Sequence, residues 1–165
     1  MLSRGDRREA IFLDDGDREE FLRALGQACA KTGWDVHAYC LMSNHFHFVV
    51  ETPAANLVVG MQWLLGTYTQ RFNRRHRLSG HLFQGRYKAQ AVDERSGEYL
   101  RAACDYVHLN PVRAELVGAE EKLETFAGAA IRPIDSCDCG RNGCEWIGSW
   151  ENMDYKKIQR RRGES

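Results

Sequence analysis

With 165 residues, 43% of them hydrophobic and 28% charged, the chain has the composition of one ordinary globular domain, with enough mass to bury a core. No apolar run approaches the roughly 20 residues that span a bilayer. Met1 is followed by Ser3-Arg4-Gly5-Asp6-Arg7-Arg8 rather than by the apolar centre of a signal peptide, so the expectation is a cytoplasmic protein with no membrane partner. The formal net charge is 0, and the chain as a whole does not advertise a polyanionic partner. Its distribution does. Gly66 to Val92 holds no Asp or Glu, yet it contains Arg71, Arg74, Arg75, Arg77, Arg86 and Lys88 together with His76 and His81. Such a local field binds a phosphate backbone or forms a solvated basic face.

In chain order, Asp17-Arg18-Glu19-Glu20 opens a helix with an acidic cap and a glutamate three residues later. Phe21, Leu22, Leu25, Ala28 and Cys29 recur at helical spacing, and Gly33 stops the helix at about Thr32. Trp34 to Met42 reads as a strand with Trp34, Val36, Ala38, Cys40 and Met42 on one face. Ser43-Asn44 turns the chain, and His45 to Glu51 returns antiparallel beside it. A second helix runs from about Ala54 to His76, burying Leu57, Met61, Leu64, Leu65, Tyr68 and Phe72. A further strand is expected within 81–93, and Ser96 caps a third helix that ends near Asn110 before Pro111. Val112 to Leu123 reads as helical again. Past Phe126 the periodicity fades, dividing the chain into a domain over 1–126 and a weakly ordered tail over 127–165.

The histidine strand carries the first chemical signal. Side chains alternate across a strand, so His45 and His47 share a face with Val49 and Glu51, while Phe46, Phe48 and Val50 fill the other. Two imidazoles on one face are solvated histidines or metal ligands, and Glu51 is a candidate for ordering one of them. The third helix supplies Tyr106 and Asn110, four residues apart and therefore on one face, with Tyr99 two turns back. A phenol with a reference pKa near 10 is a poor nucleophile at neutral pH. A divalent cation assists it when the target is a phosphodiester, by neutralising the non-bridging oxygens and orienting the ester. Two imidazoles plus an amide oxygen give a mixed nitrogen and oxygen site suited to Mn2+, or to Mg2+ when phosphate completes the shell. The plainer alternatives are a half-buried core tyrosine at 106 and a helix-ending asparagine at 110. His108 lies about 200° around the helix from Tyr106 and is expected to pack elsewhere.

Cys29, Cys40 and Cys104 sit in apolar patterns and read as small buried hydrophobes. Cys137, Cys139 and Cys144 form a C-x-C-x4-C cluster, which reads as free thiols in a reducing compartment or a structural metal site of unusual spacing.

Four segments together carry a resemblance: Ser3 to Glu9, Tyr39 to His47, Gly80 to Lys88, and Tyr106-Val107-His108-Leu109-Asn110-Pro111-Val112-Arg113-Ala114. In that order the chain, over roughly residues 3–118, resembles the single-tyrosine HUH transposases of insertion sequences, and especially the REP-associated tyrosine transposases. The resemblance implies an α+β, ferredoxin-like βαββαβ sheet. It implies His45 and His47 as the metal pair, Asn110 as a third ligand and Tyr106 as the nucleophile; Tyr99, on the same helix, is a second candidate nucleophile outside the matched motif. It further implies cleavage of single-stranded DNA through a 5′-phosphotyrosine bond, strand transfer, and recognition of a DNA hairpin. Arg71, Arg74, Arg75, Arg77, Arg86 and Lys88 are the expected phosphate contacts, with Tyr87 stacking on a base. Members of that family often form homodimers in which the tyrosine helix serves the neighbouring subunit.

The chain departs from the family pattern in two places. Only Met1 and Leu2 precede Ser3, so the first strand is expected to be truncated, leaving the histidine strand with an open edge. After Phe126 the cysteine-rich tail replaces the family's usual ending. Two other readings therefore stand beside the transposase: a non-catalytic DNA-binding remnant, and a small metallohydrolase using His45, His47 and a third ligand.

Overall fold

The computed structural model describes residues 1–92, 97–114 and 129–131. In chain order its elements are β1 (Leu2–Arg4), a 3-10 turn (Asp6–Arg8), α1 (Asp15–Thr32), β2 (Asp35–Met42), β3 (His45–Glu51), α2 (Leu57–His76), α3 (Gly97–His108), α4 (Asn110–Arg113) and β4 (Ala129–Ile131). The strands form one antiparallel sheet in the order β1-β3-β2-β4. The fold is α+β, as expected.

The first strand is present, which corrects the expected open edge. Leu2 pairs with His47, Ser3 with Phe46 and Arg4 with His45. Three residues suffice because β1 is held from both sides. The Met1 ammonium donates to the Phe48 carbonyl at 2.7 Å. On the outer side, Leu2 and Lys88 exchange backbone hydrogen bonds at 2.9 and 2.8 Å, and the Gln84 N–H donates to the Arg4 carbonyl at 2.9 Å. The strand expected within 81–93 is therefore an interrupted ladder along β1, bridging Gly5 to Phe83 and Leu2 to Lys88. It bends between those bridges at Gly85, whose φ of 62° is left-handed. With that segment outermost, the spatial order 83–88, β1, β3, β2 is the ferredoxin-like one. β4 extends the sheet on the far side of β2, so residues from beyond 126 take part in the sheet.

The two faces of β3 are sorted by side-chain type. Phe46 and Phe48 stack at 5.2 Å, and the Phe21 ring of α1 lies 4.7 Å from Phe46. Leu25 of α1 and Met61, Leu64 and Tyr68 of α2 complete this core. Cys104 and Val107 of α3 pack on the opposite face against Ala38, Cys40 and Met42. Trp34 and Val36 were expected on that face and instead join the α1–α2 core. A register shift between Val36 and Ala38 moves the alternation by one residue there. Trp34 fits beneath α2 because Gly60 lacks a Cβ, which would meet the indole ring at 2.2 Å.

Helix boundaries move for local reasons. Asp14, rather than Asp17, caps α1, accepting from the Asp17 N–H at 3.0 Å. Helix α2 begins at Leu57, later than the expected Ala54, because Asn56 is tied to the chain before it. Its amide accepts from the Trp34 indole and donates to the Thr32 carbonyl, both at 2.8 Å. Pro111 falls in the first turn of α4, where its missing N–H costs nothing. The expected cap at Ser96, the helix from 115 to 123 and the cysteines at 137, 139 and 144 lie outside the described residues.

Asp17 is 1% exposed. It accepts from the Leu13 N–H at 2.8 Å and from His76 Nε2 at 2.8 Å, and it pairs with Arg75. This carboxylate ties the start of α1 to the end of α2. Asp17→Asn should lower the unfolding free energy by about 2 kcal/mol, below the range for a fully buried pair because the Arg75 side chain is 43% exposed. Urea denaturation at neutral pH measures it.

Candidate functional site

Sheet register places the histidines. Directly opposed residues of an antiparallel pair have their side chains on one face. One row across the sheet therefore reads Lys88, Leu2, His47, Cys40, and the next reads Arg4, His45, Met42. The two imidazoles lie 5.1 Å apart between ring centroids, nearly perpendicular. Helix α3 crosses this face, held by Cys104 and Val107. Tyr106 stands at the flank of that buried stripe, 49% exposed, with its ring 6.2 Å from that of His47. The phenol and the imidazole pair thus meet within one chain.

Both imidazoles are held neutral. Burial, with repulsion from His45, the chain's amino terminus and Arg4, pushes His47 down to about 4. Burial and Arg4 also push His45 below its ordinary value. His45 Nδ1 lies 2.7 Å from the Asn44 side-chain oxygen. An oxygen acceptor there requires the Nδ1–H tautomer, which leaves the His45 Nε2 lone pair free. Asn44 also donates to the Arg8 carbonyl at 3.2 Å, so its amide is oriented from two sides. The motif that singled out His45 and His47 contains Asn44, but nothing in its spacing reveals this contact.

Cys40, across from His47, is buried, and burial pushes its thiol up to about 12; it stays protonated beside the imidazoles. Among the described residues no group of three or more His, Cys, Asp or Glu side chains is placed to hold a metal ion. A cation here needs neutral or exogenous oxygen to complete its shell. The Asn110 side chain has a buried Nδ2 with no hydrogen-bond partner among the described residues. That nitrogen is a donor and not a metal ligand, but the oxygen of the same amide is the neutral donor type required, and the two imidazoles offer the nitrogen donors that Mn2+ accepts. The residues present fit a divalent ion.

The remaining candidates separate. Glu51 faces His37, 3.4 Å away, and not either site imidazole, which corrects its expected role. Tyr99 is 64% exposed and makes no ring contact with either histidine among the described residues. His108 is buried, its Nε2 without a hydrogen-bond partner among the described residues. The arginine cluster is divided. Arg71 binds Glu20 at 2.7 Å and Gln27 at 2.8 Å, and Arg75 binds Asp14 and Asp17. Both fasten α2 to α1. Arg74, Arg77, Arg86 and Lys88 are exposed, and Tyr87 is half-buried against the core.

The chain is thus an α+β domain with a His-x-His strand faced by a tyrosine on a crossing helix. The family model for IS200-like transposases matches residues 2–110, and the chain belongs to that family. Among solved structures, that of a REP-associated tyrosine transposase bound to a REP hairpin aligns with a TM-score of 0.63. The alignment covers 93% of this chain and 86% of that one at 15% sequence identity, a likeness of fold. No curated relative matches the sequence. Among the described residues no helix is long and apolar enough to cross a membrane.

The depressed histidines fix a pH dependence. Between about 6.5 and about 4 the unfolded chain takes up a proton at position 47 that the folded chain refuses. Stability is therefore fully present above this window and is lost as pH falls through it. Burial holds His108 down to about 4 as well. The His47 ring should titrate near pH 4 by NMR, and His47→Gln and His108→Gln should each flatten the acid limb of the stability curve.

Proposed function

We propose that this member of the IS200-like transposase family nicks and rejoins single-stranded DNA through Tyr106, with a divalent ion on His45 and His47. The observation that carries the reading is the phenol of Tyr106 beside an imidazole pair held neutral on one sheet face. Asn110, whose Nδ2 has no hydrogen-bond partner among the described residues, is the third protein ligand through its amide oxygen. A bound Mn2+ or Mg2+ supplies charge neutralisation and orientation of the phosphodiester.

The Tyr106 oxygen attacks phosphorus in line, and the bond from phosphorus to the 3′-oxygen breaks. The phenolic proton is released and the departing 3′-oxygen takes one up, so the products are a 5′-phosphotyrosine and a free 3′-hydroxyl. Reversal with a different 3′-hydroxyl joins strands. The solved structure of similar fold is that of a transposase bound to a REP hairpin, and hairpin DNA is the substrate form we infer here. Geometry within one chain supports a complete site in each protomer, whether or not a homodimer forms.

Tyr106→Phe removes the attacking oxygen and should abolish the covalent protein–DNA adduct, seen as a mobility shift on denaturing gels with Mn2+, while hairpin binding persists. An undiminished adduct in this variant would move the nucleophile elsewhere, with Tyr99 next to test. Hairpin binding without any adduct from the unaltered protein would make the chain a DNA-binding remnant. Asn44→Ala frees the His45 ring and should weaken Mn2+ binding roughly tenfold or more, measured by calorimetry.

A further inference from the structure

Arg4 belongs to no assigned role, yet its placement is unusual for a surface arginine. It is the last residue of β1 and pairs directly with His45, so its side chain rises from the same face as the imidazoles, one strand away. Its backbone is fixed on both edges, by the pairing with His45 and by the Gln84 N–H at 2.9 Å. It is exposed, and no carboxylate among the described residues pairs with it. The nearest acid in sequence, Asp6, is oriented elsewhere, accepting from the Arg7 N–H at 3.0 Å. Arg71 and Arg75, by contrast, are consumed by acids of α1. A guanidinium that is rigidly mounted, unpaired and beside a site for a phosphodiester has the chemistry of a phosphate fork.

We propose that Arg4 binds the DNA phosphate next to the one attacked, anchoring the strand across β1 so that the scissile ester lies over the imidazole pair. This rests on the reading of that face as a DNA-cleaving site. Lys88, in the adjoining row beyond Leu2, continues the cationic edge along the strand's path. The contact is to a phosphate other than the one attacked, so its direct readout is affinity for the strand.

The test measures single-stranded DNA binding by anisotropy for the unaltered protein, Arg4→Gln, Arg4→Lys and the remote control Lys31→Gln, with folding checked by circular dichroism. Arg4→Gln should bind about tenfold more weakly, the equivalent of one charge-assisted hydrogen bond. Its log–log salt slope should be shallower by about 0.7. Arg4→Lys should keep the slope and lose part of the affinity, and Lys31→Gln should change neither. Oligonucleotides with a neutral methylphosphonate at each position in turn locate the contact: the penalty of Arg4→Gln should vanish at one phosphate flanking the cleavage point. An unchanged slope, or no methylphosphonate position that removes the penalty, overturns the proposal. Should Arg4→Gln lose its fold, Arg4→Lys with the methylphosphonate series gives the same decision. Adduct formation by the unaltered protein is scored in parallel. If it fails, the cleavage reading falls, while the phosphate coupling still reports on Arg4.

Discussion

The register of β3 is the constraint on which the site depends. Its side chains alternate between a stacked aromatic pair, Phe46 and Phe48, and an imidazole pair, His45 and His47. A slip of one residue would bury both imidazoles under α1 and α2 and expose both phenyl rings. The rings forbid this, because Phe46 and Phe48 are fully buried against Phe21 and its neighbours. Burial of two phenyl groups, each on the order of 2 kcal/mol or more, therefore fixes where two imidazoles stand. The core does the positioning and the opposite face receives the chemistry.

The electrostatics of that face follow from the same register. His47 sits in a row with Leu2 and Cys40, neither of which offers a charge to stabilise an imidazolium. Arg4 and the amino terminus oppose one. A histidine with a carboxylate across from it would have been a cation near neutral pH. This one remains a nitrogen donor, suited to a metal ion and silent toward phosphate. Among the described sheet residues named in these rows, permanent positive charge stands on the β1 side, at Arg4 and Lys88, and the pairing of Glu51 with His37 lies at the other end of the strand. Along the sheet the face thus runs from cation to neutral donor to acid.

Much of this was legible in the residues. Alternation gave the histidine face, the Ser43-Asn44 turn gave the hairpin, and helical spacing gave α1 and α2, whereas Tyr106 and Asn110, expected on one helix, fall in α3 and α4. What escaped was non-local. A strand as short as β1 has no periodicity of its own and exists because β3 and residues 83–88 hold it. The register shift after Val36 leaves no mark in the composition of β2, yet it sends Trp34 and Ala38 to opposite faces. Charge clustering also hid the pairing of Arg71 and Arg75, because their acids lie some fifty to sixty positions earlier, at Glu20, Asp14 and Asp17.

That pairing bears on how a neutral protein meets a polyanion. A run of arginines without acids looks like a binding surface when read along the chain, but a guanidinium already forked onto a carboxylate has little left to give a phosphate. Removing it would strip the fold of an interaction, while the loss of DNA affinity would be secondary. The cations that matter for binding are those whose backbone is held and whose side chain is unpaired. Among the described residues Arg4 meets both conditions, in a segment where Asp6 and Glu9 nearly cancel the local charge. Net charge, whether of the chain or of a window, therefore ranks these arginines in the wrong order. Pairing in three dimensions ranks them by availability.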